Sequence, residues 1–397
     1  MNGRDESMGR AGEELVRALV AGGELVPEWE EAFRRAPRGA FVPELVWAYD
    51  MGSGRSVGVS RRQDPEGWER AVYTNVPLVT QWDDGAREEP GPGSVATSSA
   101  SMPSVVAGML RDLDVRDGAR VLEVGTGTGW NAGLLAHRLG DRNVVSVEVD
   151  ADVAGRAREA LGRANLAPQV VHGDGVQGCA DRAPYDRVIV TAGVREVPGA
   201  WLAQTRPGGI VLAPWGTYYS DQDALVRLRV AEDGSASGPF LRMVEFMKLR
   251  EQRLDWGRFR EYVTDFPEGS QQSGTDVELA ELGGRYESVR FVLGLCVPDC
   301  AHVVNAGAGR PGGAGDRAWF FDLRSTSWAA VEWPGGVVRQ YGPRRLWDEV
   351  EGALTWWHER GRPGVERFGL TVGTDGNGQR VWWDEPGHTV PPDQGGM

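Results

Sequence analysis

Apolar runs and glycine turns alternate through the middle of the chain in a pattern that reads as strand, helix, strand. Residues 121–124 (VLEV) form a short, nearly continuous apolar run, the mark of a strand buried on both faces. A glycine turn follows, and residues 131–139 then carry apolar side chains at helical spacing. Runs at 144–149, 169–171, 186–190 and 209–212 predict further strands, with helices at 152–165 and 199–205 between them. This alternation predicts a doubly wound α/β sheet. Residues 225–230 and 241–247 predict an antiparallel pair that completes it.

The flanks are less regular. Residues 15–41 predict two helical segments, closed by Gly39 and Pro43, both of which oppose helix continuation. A strand is predicted at 71–80 and a helix at 105–110. Between them, residues 83–99 (DDGAREEPGPGSVATSS) have no apolar period and predict a long loop, a lid or a binding loop. Beyond residue 253 the character changes. Residues 269–276 read as a linker or a surface loop; strands are predicted at 289–297, 318–323, 328–333, 337–341, 368–372 and 380–383, with a helix at 344–359. Strands clustered around one helix predict a small α+β domain. Eight of the 16 Trp lie between Trp319 and Trp383, which favours a packed core over an aromatic binding surface. The expected organisation is an N-terminal helical, substrate-binding segment at 1–110 carrying the 83–99 loop, a cofactor-binding core at 111–253 and an accessory α+β domain at 275–397.

Composition narrows the partners. With 43 Lys+Arg against 57 Asp+Glu the formal charge is −14, which argues against nucleic acid or an anionic membrane surface. Three cysteines in 397 residues cannot make a disulfide framework. The first 23 residues are studded with charge, and no run approaches the ~18 apolar residues of a membrane helix. The expectation is a soluble, cytoplasmic protein, with oligomeric state left open.

Chemistry concentrates after the first core strand, in Glu123-Val124-Gly125-Thr126-Gly127-Thr128-Gly129. Glycines at 125, 127 and 129 let backbone approach a ligand and expose the N–H groups of the next helix. The spacing G-x-G-x-G behind an acid differs from the G-x-G-x-x-G of pyrophosphate binders. It suits a ligand with an amino-acid end: Glu123 can receive an ammonium while the turn faces a sulfonium. Glu148 ends the next strand, where a carboxylate can accept both ribose hydroxyls; the plainer reading is a solvated strand-end acid. Asp174, in Gly173-Asp174-Gly175 after the third strand, can accept from an adenine amine or merely shape a turn. Three acids after three successive strands favour S-adenosyl-L-methionine, with S-adenosyl-L-homocysteine as product, and methyl transfer.

At these residues the sequence resembles the protein-L-isoaspartate O-methyltransferases. The matching runs are Phe41-Val42-Pro43-Glu44, Ser101-Met102-Pro103, 121–131, Gly173-Asp174-Gly175, 185–192 and Arg206-Pro207-Gly208-Gly209. The resemblance implies a Rossmann-like methyltransferase with Glu123, Gly125, Thr126, Gly127, Gly129, Glu148, Asp174 and Gly175 toward the cofactor. It implies a catalytic role for Ser101, facing the substrate carboxylate, with Ser99, Val76, Pro77 and Thr191 also on the substrate side. Ser101 can equally be the N-cap of the helix at 105–110. The long acidic loop and the extension beyond residue 253 depart from compact repair enzymes. With the run 245–253 they resemble a subgroup associated with ribosomally made peptides: lanthipeptides, lasso peptides and graspetides. That subgroup implies methylation of an Asp side chain in a cyclised precursor peptide, then an aspartimide that can open to isoaspartate.

The competing expectations are a general isoaspartate repair enzyme with an accessory domain, a small-molecule methyltransferase, and a binding module without catalysis. Cys296, Cys300 and His302 have metal-ligand types at close spacing but no clear fourth ligand, so core thiols are favoured over zinc and no metal is expected. Asp84, Glu88 and Glu89 could steer a basic peptide or be simply solvated.

Overall fold

The computed structural model describes residues 3–50, 55–86, 91–254, 259–264, 266–305, 315–374 and 378–390. Glu88 and Glu89 lie outside them. The chain forms two compact units, Met1–Ala192 with Pro198–Leu212 and Arg229–Ser235, and Gly193–Val197 with Ala213–Leu228 and Ala236–Met397.

The first unit opens with α1 (Gly3–Ala21) and α2 (Pro27–Arg35), then β1 (Leu45–Asp50), β2 (Arg55–Ser60), α3 (Pro65–Tyr73), β3 (Leu78–Trp82), β4 (Ala96–Ala100) and α4 (Pro103–Leu113). The four strands form one sheet in the order β2-β1-β3-β4, its inner face filled by Val46, Trp68, Val72, Leu78 and Ala100. Two expectations are corrected here. Residues 71–73 end a helix rather than begin a strand: Asp64 accepts from Gly67 N and Pro65 occupies the first turn, a start signal that outweighs the β-branched residues downstream. The 83–99 segment is not loop throughout, since 96–100 pair with β3 through an irregular register.

The rest of this unit is the predicted alternation: β5 (Val121–Val124), α5 (Trp130–Leu139), β6 (Val144–Glu148), α6 (Ala151–Arg163), β7 (Gln169–His172), β8 (Tyr185–Val190), α7 (Gly199–Ala203) and β9 (Thr205–Trp215), of which residues to Leu212 belong here. Neighbouring strands run parallel in the order β7-β6-β5-β8-β9. Every residue of β5 and β6 is buried, as expected for strands covered on both faces. Parallel pairing puts the carboxyl ends of β5, β6, β7 and β8 along one edge, where ligands of open α/β sheets bind.

The second unit contains β10 (Asp223–Val230, to Leu228), β11 (Ala236–Val244), α8 (Phe259–Tyr262), β12 (Gln271–Gly274), α9 (Ser288–Cys296), β13 (Cys300–Asn305), β14 (Asp316–Asp322), β15 (Trp328–Trp333), β16 (Val337–Tyr341), α10 (Leu346–Glu359), β17 (Phe368–Val372), β18 (Arg380–Trp383) and β19 (Glu385–Val390). One sheet has the order β12-β16-β15-β14-β13, and β10-β11-β17-β18-β19 are neighbours in another. Residues 289–297 are helical, not a strand: a continuous apolar run fits either element, and this one is buried on nearly all sides as α9. Residues 271–274 are a strand inside the expected linker, paired with β16. Six of the eight Trp between 319 and 383 are buried, so this Trp-rich stretch is core. Cys300 is buried and His302 bonds the Tyr219 carbonyl while stacking on its ring at 4.2 Å. Among the described residues no group of three His, Cys, Asp or Glu could hold a metal. Because β17 pairs with β11 over Ala236–Pro239, the C-terminal residues share a unit with residues 213–228 and 236–254 rather than forming a separate sequence block.

Candidate functional site

The glycine turn leaves β5 with Gly125, Gly127 and Gly129 at φ +94°, +54° and +84°. At Gly125 a side chain would be strained by its φ, and its Cβ would lie 2.8 Å from Thr191 Oγ1. Thr191 uses that closeness, donating to the carbonyls of Gly125 (2.5 Å) and Val124 (3.1 Å). Its hydroxyl braces the turn. Gly129 then stands as the N-cap of α5, a ten-residue helix whose first N–H groups have no acceptor within the helix.

The expected acids occupy the same sheet edge, each already partnered. Glu123 is fully buried; Asn131 Nδ2 donates to one oxygen (2.7 Å) and Ser146 Oγ to the other (2.5 Å), and Ser146 shares a 2.6 Å bond with Thr126 Oγ1. Burial pushes its carboxyl up to about 7, against those two bonds and with help from Glu148. Glu148 accepts from the backbone N–H groups of Gly127 (2.9 Å) and Asp150 (3.1 Å), and burial raises it too. It ties the turn to the end of β6. Asp174 caps a short 3-10 turn, accepting from Val176 N at 2.9 Å, so the turn-shaping reading of that residue is realised. Gly175 is buried where a Cβ would lie 2.6 Å from Val124 Cγ1. Ionised carboxylates accept up to about four hydrogen bonds, so Glu148 and Asp174 keep capacity for a ligand, whereas Glu123 lies behind the turn with both oxygens bonded.

Over the turn lies the β3–β4 hairpin. A Cβ on Gly127 would sit 3.4 Å from Ser99 O and 4.0 Å from Ser98 Oγ. The hairpin is pinned by Gln81 Nε2 donating to Asp150 (3.1 Å), the N-cap of α6, and by Thr97 Oγ1 donating to Gln81 Oε1 (2.9 Å). Its acidic base is self-satisfied: Asp83 accepts from the N–H groups of Ser94 and Val95.

Ser101 follows β4 at intermediate exposure, and among the described residues its hydroxyl takes no partner. It is not the cap of α4. That helix starts at Pro103 with no capping side chain of its own, and Asn75 Oδ1 accepts from Ser104 N instead (2.9 Å). The residue that sequence reasoning missed is Arg38. Its guanidinium is 1% exposed and donates to the carbonyls of Val72 (2.9 Å), Val76 (3.0 Å), Ala100 (2.8 Å) and Ser101 (2.8 Å). It also faces the Trp130 ring at 5.5 Å. One side chain thus holds together the Val76-Pro77 segment, the end of β4 and the start of α5. Burial pushes Arg38 down to about 9, leaving it charged at neutral pH. The sequence signal available was an arginine preceding Phe41-Val42-Pro43, which nothing marked as buried.

The edge therefore gathers a left-handed glycine turn, the carboxylates of Glu123, Glu148 and Asp174, and, beyond a hairpin that covers the turn, the Ser101 hydroxyl, which has no partner among the described residues. A model of the family described as Protein-L-isoaspartate(D-aspartate) O-methyltransferase (PCMT) matches residues 56–254. The chain is similar to the protein-L-isoaspartate O-methyltransferase of Methanoculleus marisnigri, 41% identical over 188 residues, 46% of this chain and 78% of that one. It is 40% identical to that of Thermococcus sibiricus over 142 residues, 35% of this chain and 64% of the relative, and 42% identical to that of Pyrococcus horikoshii over the same length, 63% of the relative. The match thus spans less than two thirds of these last two proteins. A solved structure titled protein-L-isoaspartate O-methyltransferase shares the fold at TM-score 0.53 and 22% identity, over 94% of this chain and all of its own. The likeness of fold extends into the second unit.

Proposed function

Because the chain belongs to the protein-L-isoaspartate(D-aspartate) O-methyltransferase family, we propose that it transfers a methyl group from S-adenosyl-L-methionine to a carboxylate of a protein or peptide. The observation that carries the reading is the single edge bearing Glu123, Glu148 and Asp174 around the turn at Gly125 and Gly127. Those residues would hold the cofactor, with Glu148 at its ribose hydroxyls, Asp174 at the adenine amine, and Glu123 as a buried countercharge to its ammonium from behind the turn. When bound, the cofactor supplies an electrophilic methyl on a sulfonium leaving group.

The protein's own part is positional. A carboxylate acceptor with a pKa near 3.9 is ionised at neutral pH, so no general base is required. Ser101 donates to one carboxylate oxygen and leaves the other to attack. The β3–β4 hairpin, with Ser98 and Ser99 against Gly127, excludes water from the reacting atoms. Arg38 acts from behind, through carbonyls, and does not pair with the nucleophile, whose reactivity a guanidinium would damp.

The finer reading is that the acceptor is an Asp side chain in a cyclised ribosomal peptide. Its support is the run 245–253 and the acidic hairpin, whose base is built by Asp83 and whose strand reaches Ser99. Methylation makes an ester; the next backbone amide nitrogen attacks its carbonyl, methanol leaves, and the resulting aspartimide opens with water to Asp or isoaspartate. A second reading, general repair of isoaspartate, is favoured by one observation: the fold likeness to a solved isoaspartate methyltransferase runs through the second unit, so the extension alone does not mark a peptide-tailoring enzyme.

Paired peptides decide between them. Incubation with S-adenosyl-L-methionine and a cyclised peptide carrying Asp, or its isoaspartyl isomer, is expected to give methyl uptake and methanol release from the Asp form. Uptake confined to the isoaspartyl form supports repair, and uptake by neither overturns both.

A further inference from the structure

Gln81 stands where the β3–β4 ladder breaks. Val79 pairs with Ser99, Gln81 with Ser98 and Trp82 with Ala96, so the register shifts on both sides of Gln81. A break of this kind bends a strand and re-aims a side chain, and here the side chain leaves the hairpin. Gln81 Nε2 donates to Asp150 Oδ2 at 3.1 Å, while its Oε1 accepts from Thr97 Oγ1 at 2.9 Å. Both ends of the amide are committed, and a carboxylate that only accepts fixes which way it is turned.

Asp150 divides its own atoms among three tasks. Its Oδ1 caps α6, accepting from Asp152 N and Val153 N at 3.0 Å each, and its Oδ2 accepts from Gln81. Its N–H donates to Glu148 Oε1 (3.1 Å), and Glu148 Oε2 accepts from Gly127 N (2.9 Å). Gly127 in turn lies against the hairpin, where an added Cβ would meet Ser99 O at 3.4 Å. The contacts close a ring from Gln81 through Asp150, Glu148 and Gly127 back to the strand that carries Thr97 and Ser99. Gln81, Thr97 and Asp150 are half-buried and Glu148 is buried, so salt screens these bonds less than it would on the open surface. Glu148 and the glycine turn are therefore anchors shared by the hairpin and by any ligand that Glu148 holds.

We propose that Gln81 is a positioning residue, which transmits occupancy of Glu148 by the cofactor to the β3–β4 hairpin. Cofactor binding then orders the strand that carries Ser99, on the side expected to receive the peptide. The inference rests on the methyltransferase reading, with Glu148 at the ribose hydroxyls. Gln81 acts through Asp150 and not on the reacting atoms.

The test uses the full chain, S-adenosyl-L-homocysteine and three variants. Gln81→Glu keeps an acceptor for Thr97 but sets a carboxylate against Asp150. Asp150→Asn keeps an oxygen to cap α6 but sets an amide donor against that of Gln81. The two together restore the bond with its polarity reversed, the amide now at position 150 and the carboxylate at 81. In the unaltered protein the ligand is expected to slow hydrogen exchange at 78–82 and 96–100 about tenfold. Each single variant is expected to lose that protection and to bind the ligand about tenfold more weakly by calorimetry, the worth of one hydrogen bond to a charged group. The double variant is expected to regain both, and thermal midpoints without ligand are expected to stay close to that of the unaltered protein.

Protection and affinity unchanged in Gln81→Glu, or a double variant as impaired as the single ones, overturns the proposal. So does lost protection that comes with a lowered ligand-free midpoint, which assigns Gln81 to the fold alone. Absence of any S-adenosyl-L-homocysteine binding by the unaltered protein overturns the proposed function itself, a result distinct from binding that is indifferent to Gln81.

Discussion

Arg38 Nη2 donates to the carbonyl of Ser101 at 2.8 Å, and the same nitrogen reaches Val76 and Ala100. The position of the expected catalytic serine is therefore set by a buried cation from a distant segment, whose hydrogen-bond partners among the described residues are all backbone carbonyls. Arg38→Met would strand these carbonyls inside the protein, and buried unpaired polar groups cost about 1–3 kcal/mol each before relaxation. The expected loss is about 3–5 kcal/mol by denaturant unfolding. Arg38→Lys should recover only part of it, since a point ammonium cannot span the fork. A loss below about 1 kcal/mol for Arg38→Met would contradict this role.

Ser101 and Asn75 divide two tasks that the sequence presented as one. Asn75 closes the start of α4, so Asn75→Ala should cost about 1 kcal/mol of stability, as lost helix caps do. Ser101→Ala should leave stability and S-adenosyl-L-homocysteine affinity intact. It should lower kcat/KM about ten- to a hundredfold, the worth of a hydrogen bond to a charged group. Calorimetric binding alongside turnover checks the pair. Equal loss of cofactor affinity and turnover in Ser101→Ala would make that residue structural.

What was legible followed from periodicity. The apolar runs of β5, β6 and β8 left only a buried parallel sheet, and that sheet fixed the edge where Glu123, Glu148 and the glycines meet. The same logic failed at 289–297, because an apolar run buried all round carries no period to separate strand from helix. It missed β1 and β2, whose six-residue strands show no alternation of buried and exposed positions. Arg38 was invisible for a different reason. Local sequence shows no partner for it, since its acceptors lie 34 to 63 residues away and are backbone carbonyls that any residue supplies.

Glu123 should make cofactor binding pH-dependent. Its carboxyl is raised to about 7 in the fold, mainly by burial, above its unfolded value near 4.5. The folded state therefore holds more protons between these values, and stability falls as pH rises through about 7. The ligand's ammonium favours the ionised form, so affinity should rise as pH passes through the same range. Calorimetric titration of S-adenosyl-L-homocysteine between pH 6 and 8 is expected to show about a tenfold gain per unit below 7, flattening above it. Glu123→Gln should bind weakly and without that slope, while unfolding no more readily at pH 8. A slope that persists in Glu123→Gln assigns the titration to another group.

In the second unit, Lys248 Nζ bonds Asp223 Oδ1 at 2.5 Å, with the lysine side chain 7% exposed and the aspartate fully buried. Among the described residues Asp223 Oδ2 has no hydrogen-bond partner. Burial raises that carboxyl to about 6, against the pull of Lys248 and Arg195, so the pair sits close to balance between desolvation and attraction. Removing one partner tips it. Lys248→Met should cost about 3–5 kcal/mol, because the carboxylate is left buried without its ammonium. Adding Asp223→Asn should return most of that loss, since a neutral amide no longer needs the cation. A double-mutant cycle by denaturant unfolding reads the coupling directly. Simple additivity of the two losses would show that the pair contributes no mutual stabilisation, and that Lys248 and Asp223 are each held by other contacts.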